Sequence, residues 1–161
     1  MIQTSQLENG DMDGCVMLAL STFRRSEDAI DLAIEKCQGV EKLIVVYVVD
    51  INTQRYLHRY FDEERFPNLK EICEAESLKK SEQLGRKLVT VIAEKARESG
   101  IKVKRLVQVG RFGVICLGLV KQINPSVIVT KSSQRPEWVK EFYGAPVDEL
   151  IAKAGCPVIV F

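Results

Sequence analysis

Five short apolar runs, each too brief for a helix and each separated from the next by a stretch with helical spacing, constrain this chain most. Cys15 to Leu20 (CVMLAL) is continuous and apolar, as expected of a strand covered on both faces. Ser26 followed by Glu27 and Asp28 predicts a helix N-terminus, with acids near the positive end of the dipole. Ala29, Ile30, Ala33, Ile34 and Cys37 repeat at helical spacing, and Gly39 supplies a stop. Leu43 to Val49 (LIVVYVV) is β-branched and predicts a second buried strand. A long amphipathic helix is expected from about Cys73 to Ser99 through Leu78, Leu84, Leu88, Val91, Ile92 and Ala96, with Gly100 ending it. Ile101, Val103, Val107 and Val109 fall at period two, and Val114, Ile115, Leu119 and Ile123 mark the next helix. Asn124-Pro125 breaks that helix, Val127 to Val129 gives a fourth strand, and a loop of about 14 residues follows. A short helix through Val147, Leu150 and Ile151 is capped by Gly155 before a terminal strand, Pro157 to Phe161. Strict alternation of this kind predicts an α/β fold, an open parallel sheet with helices on both faces.

The 161 residues suggest a single domain. Residues 15–161 carry it, behind a loose tail, Met1 to Gly14, that holds Glu8, Asp11 and Asp13 and no base. Such a tail is the reverse of a signal peptide. With 46% apolar and 28% charged residues the balance is that of a folded globular protein. Lys and Arg total 23 against 22 Asp and Glu, a formal charge of +1, which argues against dedicated nucleic-acid binding. No apolar run approaches the roughly 20 residues of a membrane helix. The five cysteines (Cys15, Cys37, Cys73, Cys116, Cys156) lie 22, 36, 43 and 40 residues apart. An odd count without a C-x-x-C pair fits reduced thiols in a cytoplasmic protein, most of them small core residues.

In an open α/β sheet, ligands bind beyond the carboxyl ends of the strands, where the strand order reverses. For a sheet that starts in its middle, the loops after strands one and four flank that crevice. The first offers Ser21, Thr22, Arg24 and Arg25; the second offers Lys131, Ser132, Ser133, Gln134 and Arg135, with Val49 near the end of strand two. Hydroxyls, cations and helix N-termini converging there are suited to a phosphate, although polar loop residues are also simply solvated.

The segments VMLALSTFRRSEDAIDLAI, LIVVYVVD, SVIVTKSS and GAPVDELIAKAGCPVIVF resemble the universal stress protein family over roughly residues 15–161. The resemblance implies a five-stranded Rossmann-like sheet in the order 3-2-1-4-5, frequent dimerisation, and ATP binding in many members but not all. Nucleotide-binding members carry an acid at the end of strand one, a position that aligns with Ser21. After strand four they carry G-x-x-G, nine residues, then G-[ST]. Anchored on Gly144, that pattern falls on Lys131, Gln134, Gly144 and Ala145, so only Gly144 remains.

Glycines let backbone N–H groups approach a triphosphate and allow positive φ, which Lys and Gln adopt at a cost. Ala145 has no hydroxyl for a phosphate oxygen, and Ser21 lacks the acid's charge. Pro136, Trp138, Phe142 and Tyr143 add apolar bulk to the same loop. The expectation is a degenerate site in which no cofactor is needed and ATP binds weakly or not at all. Lys131 and Arg135 leave room for another anion.

A flavodoxin-like FMN site is a more distant alternative, since Ser21 to Ser26 is rich in hydroxyls. Against it, Arg24 stands where a small residue is expected and the chain ends on a strand. A receiver domain would need paired acids after strand one, where Ser21-Thr22 stands, and an acceptor Asp after strand three, where Gly110-Arg111 stands. Gly110-Arg111-Phe112-Gly113 is a G-x-x-G that reads first as a tight turn. Asp50, ending strand two, either touches a ribose or opens a loop. His58 is the single histidine and has no visible partner, so neither a catalytic triad nor a transition-metal site assembles.

Seven of the 11 aromatic residues fall in two segments outside the sheet: Tyr56, Tyr60, Phe61 and Phe66 in an insertion at about 51–72, and Trp138, Phe142 and Tyr143 in the loop after strand four. They suggest a lid, a partner surface, or a satellite core. The terminal residues Val158, Ile159, Val160 and Phe161 form an apolar edge strand without charge, which predicts a homodimer joined along it. Two functions remain open. One is a non-catalytic regulatory module acting through dimerisation and an unknown protein partner. The other is a nucleotide-binding protein with an altered phosphate loop, with slow ATP hydrolysis as its enzymatic form.

Overall fold

The computed structural model describes residues 14–21, 24–38, 42–51, 69–132 and 146–161. Within them the chain order is β1 (Val16–Ser21), α1 (Glu27–Lys36), β2 (Lys42–Asp50), α2 (Leu69–Glu98), β3 (Lys102–Gly110), α3 (Phe112–Ile123), β4 (Val127–Thr130), α4 (Pro146–Lys153) and β5 (Val158–Val160). All strand pairs are parallel and the sheet order is β3-β2-β1-β4-β5, as the alternation and the resemblance together imply.

The middle strand carries the most severe demand. Val16 to Leu20 are fully buried, and Ser21 is 2% exposed. Such a strand needs a neighbour on each edge and an apolar layer on each face. Its side chains alternate between two cores. Val16, Leu18 and Leu20 join Leu43, Val45, Tyr47 and Val49 of β2 against α1 and α2. Met17 and Ala19 join Ile44, Val46 and Val48 against α3 and α4. The chain moves outward from β1 to β3, then returns past β1 to β4 and β5. A constant hand of crossover therefore puts the two helix pairs on opposite faces.

Local chemistry fixes the helix ends. Ser26 is the N-cap of α1, in extended backbone, and its Oγ accepts from the Ala29 amide at 3.2 Å. Gly100 follows α2 at φ +75°, a left-handed turn that lets the Ile101 amide reach back to the Ala96 carbonyl at 3.2 Å. Asn124 caps α3 in the same conformation, and its amide donates to Val120 O at 2.8 Å. Gly39 lies outside the described residues.

Several sequence expectations shift. Helix α2 begins at Leu69, not Cys73, so it takes up the end of the segment expected to be an insertion; residues 52–68 of that segment lie outside the described residues. On α2 the buried side is Val89, Ile92, Ala93 and Ala96, whereas Leu84 and Val91 are exposed. Val114 on α3 and Val109 on β3 are also exposed. Both fit the apolar period but point past the cover of the facing layer: β3 is an edge strand, and Leu106 is its buried residue.

Close approach of α2 to the sheet depends on Gly85, which is buried over Tyr47 of β2. A Cβ at this position would overlap the ring, with Tyr47 Cε1 at 2.8 Å and Cγ at 2.9 Å. The ring is wedged in the core, so the helix has to lift. Gly85→Ala gains about 1 kcal/mol of helix propensity but incurs ~1–3 kcal/mol of overpacking, often more at such separations. Urea denaturation should show Gly85→Ala less stable than the parent; a more stable variant would mean that Tyr47 moves freely.

Candidate functional site

The carboxyl ends of β1 and β4, the two neighbouring strands reached from opposite faces, form the point where the sheet order reverses. The chain leaves β1 in a tight reversal: the Arg24 amide donates to Ser21 O at 3.0 Å, and the two residues form an isolated antiparallel bridge. This reversal turns the Arg24 side chain inward. Arg24 is 2% exposed, its Nη1 donates to Lys131 O at 3.1 Å, and its guanidinium carbon lies 4.4 Å from the centroid of the Phe112 ring. The side chain thus crosses from the loop after β1 to the loop after β4 and rests on the first residue of α3.

A guanidinium suits this position because it donates in plane while its flat face covers an aromatic ring. A hydrogen bond from a charged donor contributes about 1.5–3 kcal/mol when its partner would otherwise be buried unmade. Arg25, the next residue, is exposed. Sequence alone does not separate the two arginines; the geometry of the reversal does.

The other predicted residues divide. Ser21 ends β1 and is buried beside Arg24. Lys131 offers its carbonyl to Arg24, and its side chain is half-buried. Ser132 is exposed, yet its Oγ donates to the Phe161 carbonyl at 3.0 Å and its amide to the same oxygen at 2.8 Å. Val49, one residue beyond the Val48 that pairs with Ser21, is fully buried and packs in the core under α1 and α2. Thr22, Ser133, Gln134, Arg135, Gly144 and Ala145 lie outside the described residues, as do His58, Trp138 and the aromatic residues of the two loops. Thr130, which the sequence did not single out, closes the floor: its Oγ1 donates to Ala19 O at 2.8 Å.

Two further groups belong to this neighbourhood. Asp50 ends β2 and is 2% exposed. Cys116, one turn into α3, is fully buried. Burial pushes its thiol up from 9.0 to about 12; the Arg24 charge pulls it down and the Asp50 charge pushes it up. Cys116 therefore lies within reach of both buried charges and stays protonated at neutral pH, unsuited to nucleophilic attack. Cys15, Cys37 and Cys156 are likewise outside any disulfide among the described residues. Burial, and then the charge of Cys15, raises Cys37 to about 11.

These shifts set a pH dependence. The unfolded thiols ionise near 9.0 while the folded ones do not, so their stabilisation is complete below pH 9 and lost as pH rises toward 12. Denaturation midpoints should fall above about pH 9. Cys116→Ala should make that fall shallower without abolishing it, because Cys37 remains. An unchanged alkaline slope would mean that Cys116 is not held protonated by the fold.

Among the described residues no three His, Cys, Asp or Glu side chains converge as metal ligands would. No described helix is long and apolar enough to cross a membrane.

No curated protein sequence gives a significant match to this chain. Among solved structures the fold is similar to universal stress protein UspA from Lactobacillus plantarum, at a TM-score of 0.66 and 17% identity, with 91% of this chain and 97% of that chain covered. It is also similar to a universal stress protein in complex with cAMP (TM-score 0.57, 10% identity, 92% and 96% covered). A third is a universal stress protein family protein from Arabidopsis thaliana with AMP bound (TM-score 0.52, 17% identity, 92% and 90% covered). At these identities the likeness is one of fold. The sequence itself matches the universal stress protein family from residue 16 to residue 161, nearly its whole length, and the chain belongs to that family.

Proposed function

We propose that this universal stress protein is a non-catalytic regulatory module whose nucleotide crevice is held closed from within, and whose output is contact with itself and with other proteins. The observation that carries this reading is Arg24. Its guanidinium lies across the switch point, with one N–H on Lys131 O and one face on Phe112. A ligand phosphate or base entering between the two loops has to displace that buried charge and leave the Lys131 carbonyl without its donor, a cost of about 1–3 kcal/mol. The hydroxyls of Thr130 and Ser132 already donate to main-chain carbonyls, and Cys116 keeps its proton. The lost motif positions Lys131, Gln134 and Ala145 point the same way. No catalytic role follows for any of these groups.

Self-association is assigned to the β5 edge. β5 pairs only with β4 among the described strands, and Val160 and Phe161 are 36% and 38% exposed at the outer margin of the sheet. An apolar edge with unpaired main-chain groups is satisfied by a second copy across a twofold axis.

A second reading is favoured by the neighbours of similar fold solved with cAMP and with AMP. In that reading the loop after β4 grips a nucleotide in its own way, and slow hydrolysis of ATP is the activity to assay.

Calorimetric titration separates the two. Mg-ATP, AMP and cAMP at millimolar concentration should each give no binding heat; micromolar affinity for any of them would overturn the closed crevice in favour of the second reading. Arg24→Ala should lower the unfolding free energy by about 2–4 kcal/mol, the sum of a charged hydrogen bond and a cation–π contact. Light scattering at micromolar concentration should report twice the 18.2 kDa chain mass, and a monomer would remove the β5 assignment.

A further inference from the structure

The two edges of the sheet are chemically opposite. β5 is short, apolar and uncharged, whereas the other edge, β3, is nine residues long and reads KVKRLVQVG, with three cations and no acid. β3 pairs with β2 alone among the described strands, so its outer row of main-chain groups faces no strand. Val103 and Val107 pack toward the α1 and α2 core, and Leu106 packs toward the other. Arg105, between the two valines, therefore lies on the α2 side, where its Nη1 donates to Thr90 Oγ1 at 3.2 Å. Thr90 in turn donates to Arg86 O at 2.8 Å. Arg105 is in this way fastened along the edge.

Between α2 and this edge runs an open groove of about 620 Å³. On the α2 side its charged lining is Arg86, Arg97 and Arg105, over a floor that includes Val89, Val103 and Val107, while Lys104 borders it from the strand with its side chain on the opposite face. Among the described residues no carboxylate lines the groove; Glu82 pairs with Arg86 at 3.3 Å from one turn away on α2. A smaller groove of about 230 Å³ continues past Lys42, Lys102 and Lys104. The whole chain carries only +1, so this concentration of positive charge is local and not a consequence of composition.

We propose that the β3 edge is a docking site for an extended acidic segment of a partner protein, which joins the sheet as a sixth strand. Main-chain hydrogen bonds to β3 supply the affinity, and alternate side chains supply the choice. A strand laid along β3 meets Val103, Arg105 and Val107 on the α2 side and Lys102, Lys104 and Leu106 on the other. It is matched by acids opposite the cations and by small apolar residues opposite the valines. A second copy of this chain is refused, because β3 against β3 places cations against cations. A nucleic acid has no use for the open ladder or for the apolar floor. The inference rests on the protein-contact part of the proposed function and names a partner for it; it does not depend on whether the crevice admits a nucleotide.

The test uses the full chain and a fluorescein-labelled peptide of roughly ten residues, long enough to span β3, with Glu placed to face Lys102, Lys104 and Arg105 and Val placed to face Val103, Leu106 and Val107. Fluorescence anisotropy at about 0.1 M salt should show saturable binding. Amide exchange should slow along Lys102–Gly110 and not at β5. Lys104→Glu with Arg105→Glu should weaken binding about tenfold or more. Arg97→Glu, on the helical wall and away from the strand, should weaken it in the same direction if the double variant does not fold. Absence of saturable binding overturns the proposal. So does equal binding of a polyglutamate peptide with no slowing at β3, which reports charge attraction alone, or competition by a short oligothymidylate at the same residues. The nucleotide titration is unaffected by any of these results, so a failure here is distinguishable from a failure of the closed crevice.

Discussion

Burial of β1 on both faces and both edges is the constraint from which the rest of the molecule follows. Five residues without solvent exposure cannot be served by a two-layer protein. They require β2 on one side and β4 on the other, and helices above and below. The requirement for β4 forces the chain to return across the sheet after β3, and that return creates the switch point. The location of the candidate site is therefore a by-product of how the most apolar strand is covered.

What the sequence made legible was whatever depends on short-range chemistry or on run length. The strands β1 and β2 stand out because β-branched and apolar residues are uninterrupted there, and the ends of α1 and α2 are marked by Ser26 and Gly100, which have local jobs. Phase was harder. Leu84 and Val91 are a heptad apart and look like one side of a stripe, yet they face outward, because the side chosen by α2 is the one where Gly85 lets the helix settle on Tyr47. Nothing within the helix decides that; the partner surface does. The same holds for Val109 on the edge strand, where period two gives the alternation but not how far the cover extends.

The candidate site shows a similar division. Its place, the loops after β1 and β4, was legible from topology alone, and with it the expectation that Ser21, Arg24, Lys131 and Ser132 lie there. Their partners were not. Polar residues at a loop suggest groups held out to a ligand, whereas here Arg24, Thr130 and Ser132 donate to carbonyls of the protein itself. A cation becomes a strut when a reversal turns it inward over an aromatic ring, and that turn is set by the single bridge between Ser21 and Arg24. Asp50 and Cys116 join the neighbourhood only through the meeting of β2 and α3, which are distant in sequence.

Lys131 and Ser132 are consecutive, and they face different tasks. The first holds the end of the Arg24 strut; the second holds the main-chain oxygen of Phe161, just after β5, through both its amide and its hydroxyl. One peptide unit thus joins the mouth of the crevice to the terminal strand, with no slack between them. A displacement of the Arg24 side chain from Lys131 would therefore act one peptide unit away from the two hydrogen bonds that hold Phe161 beside β4.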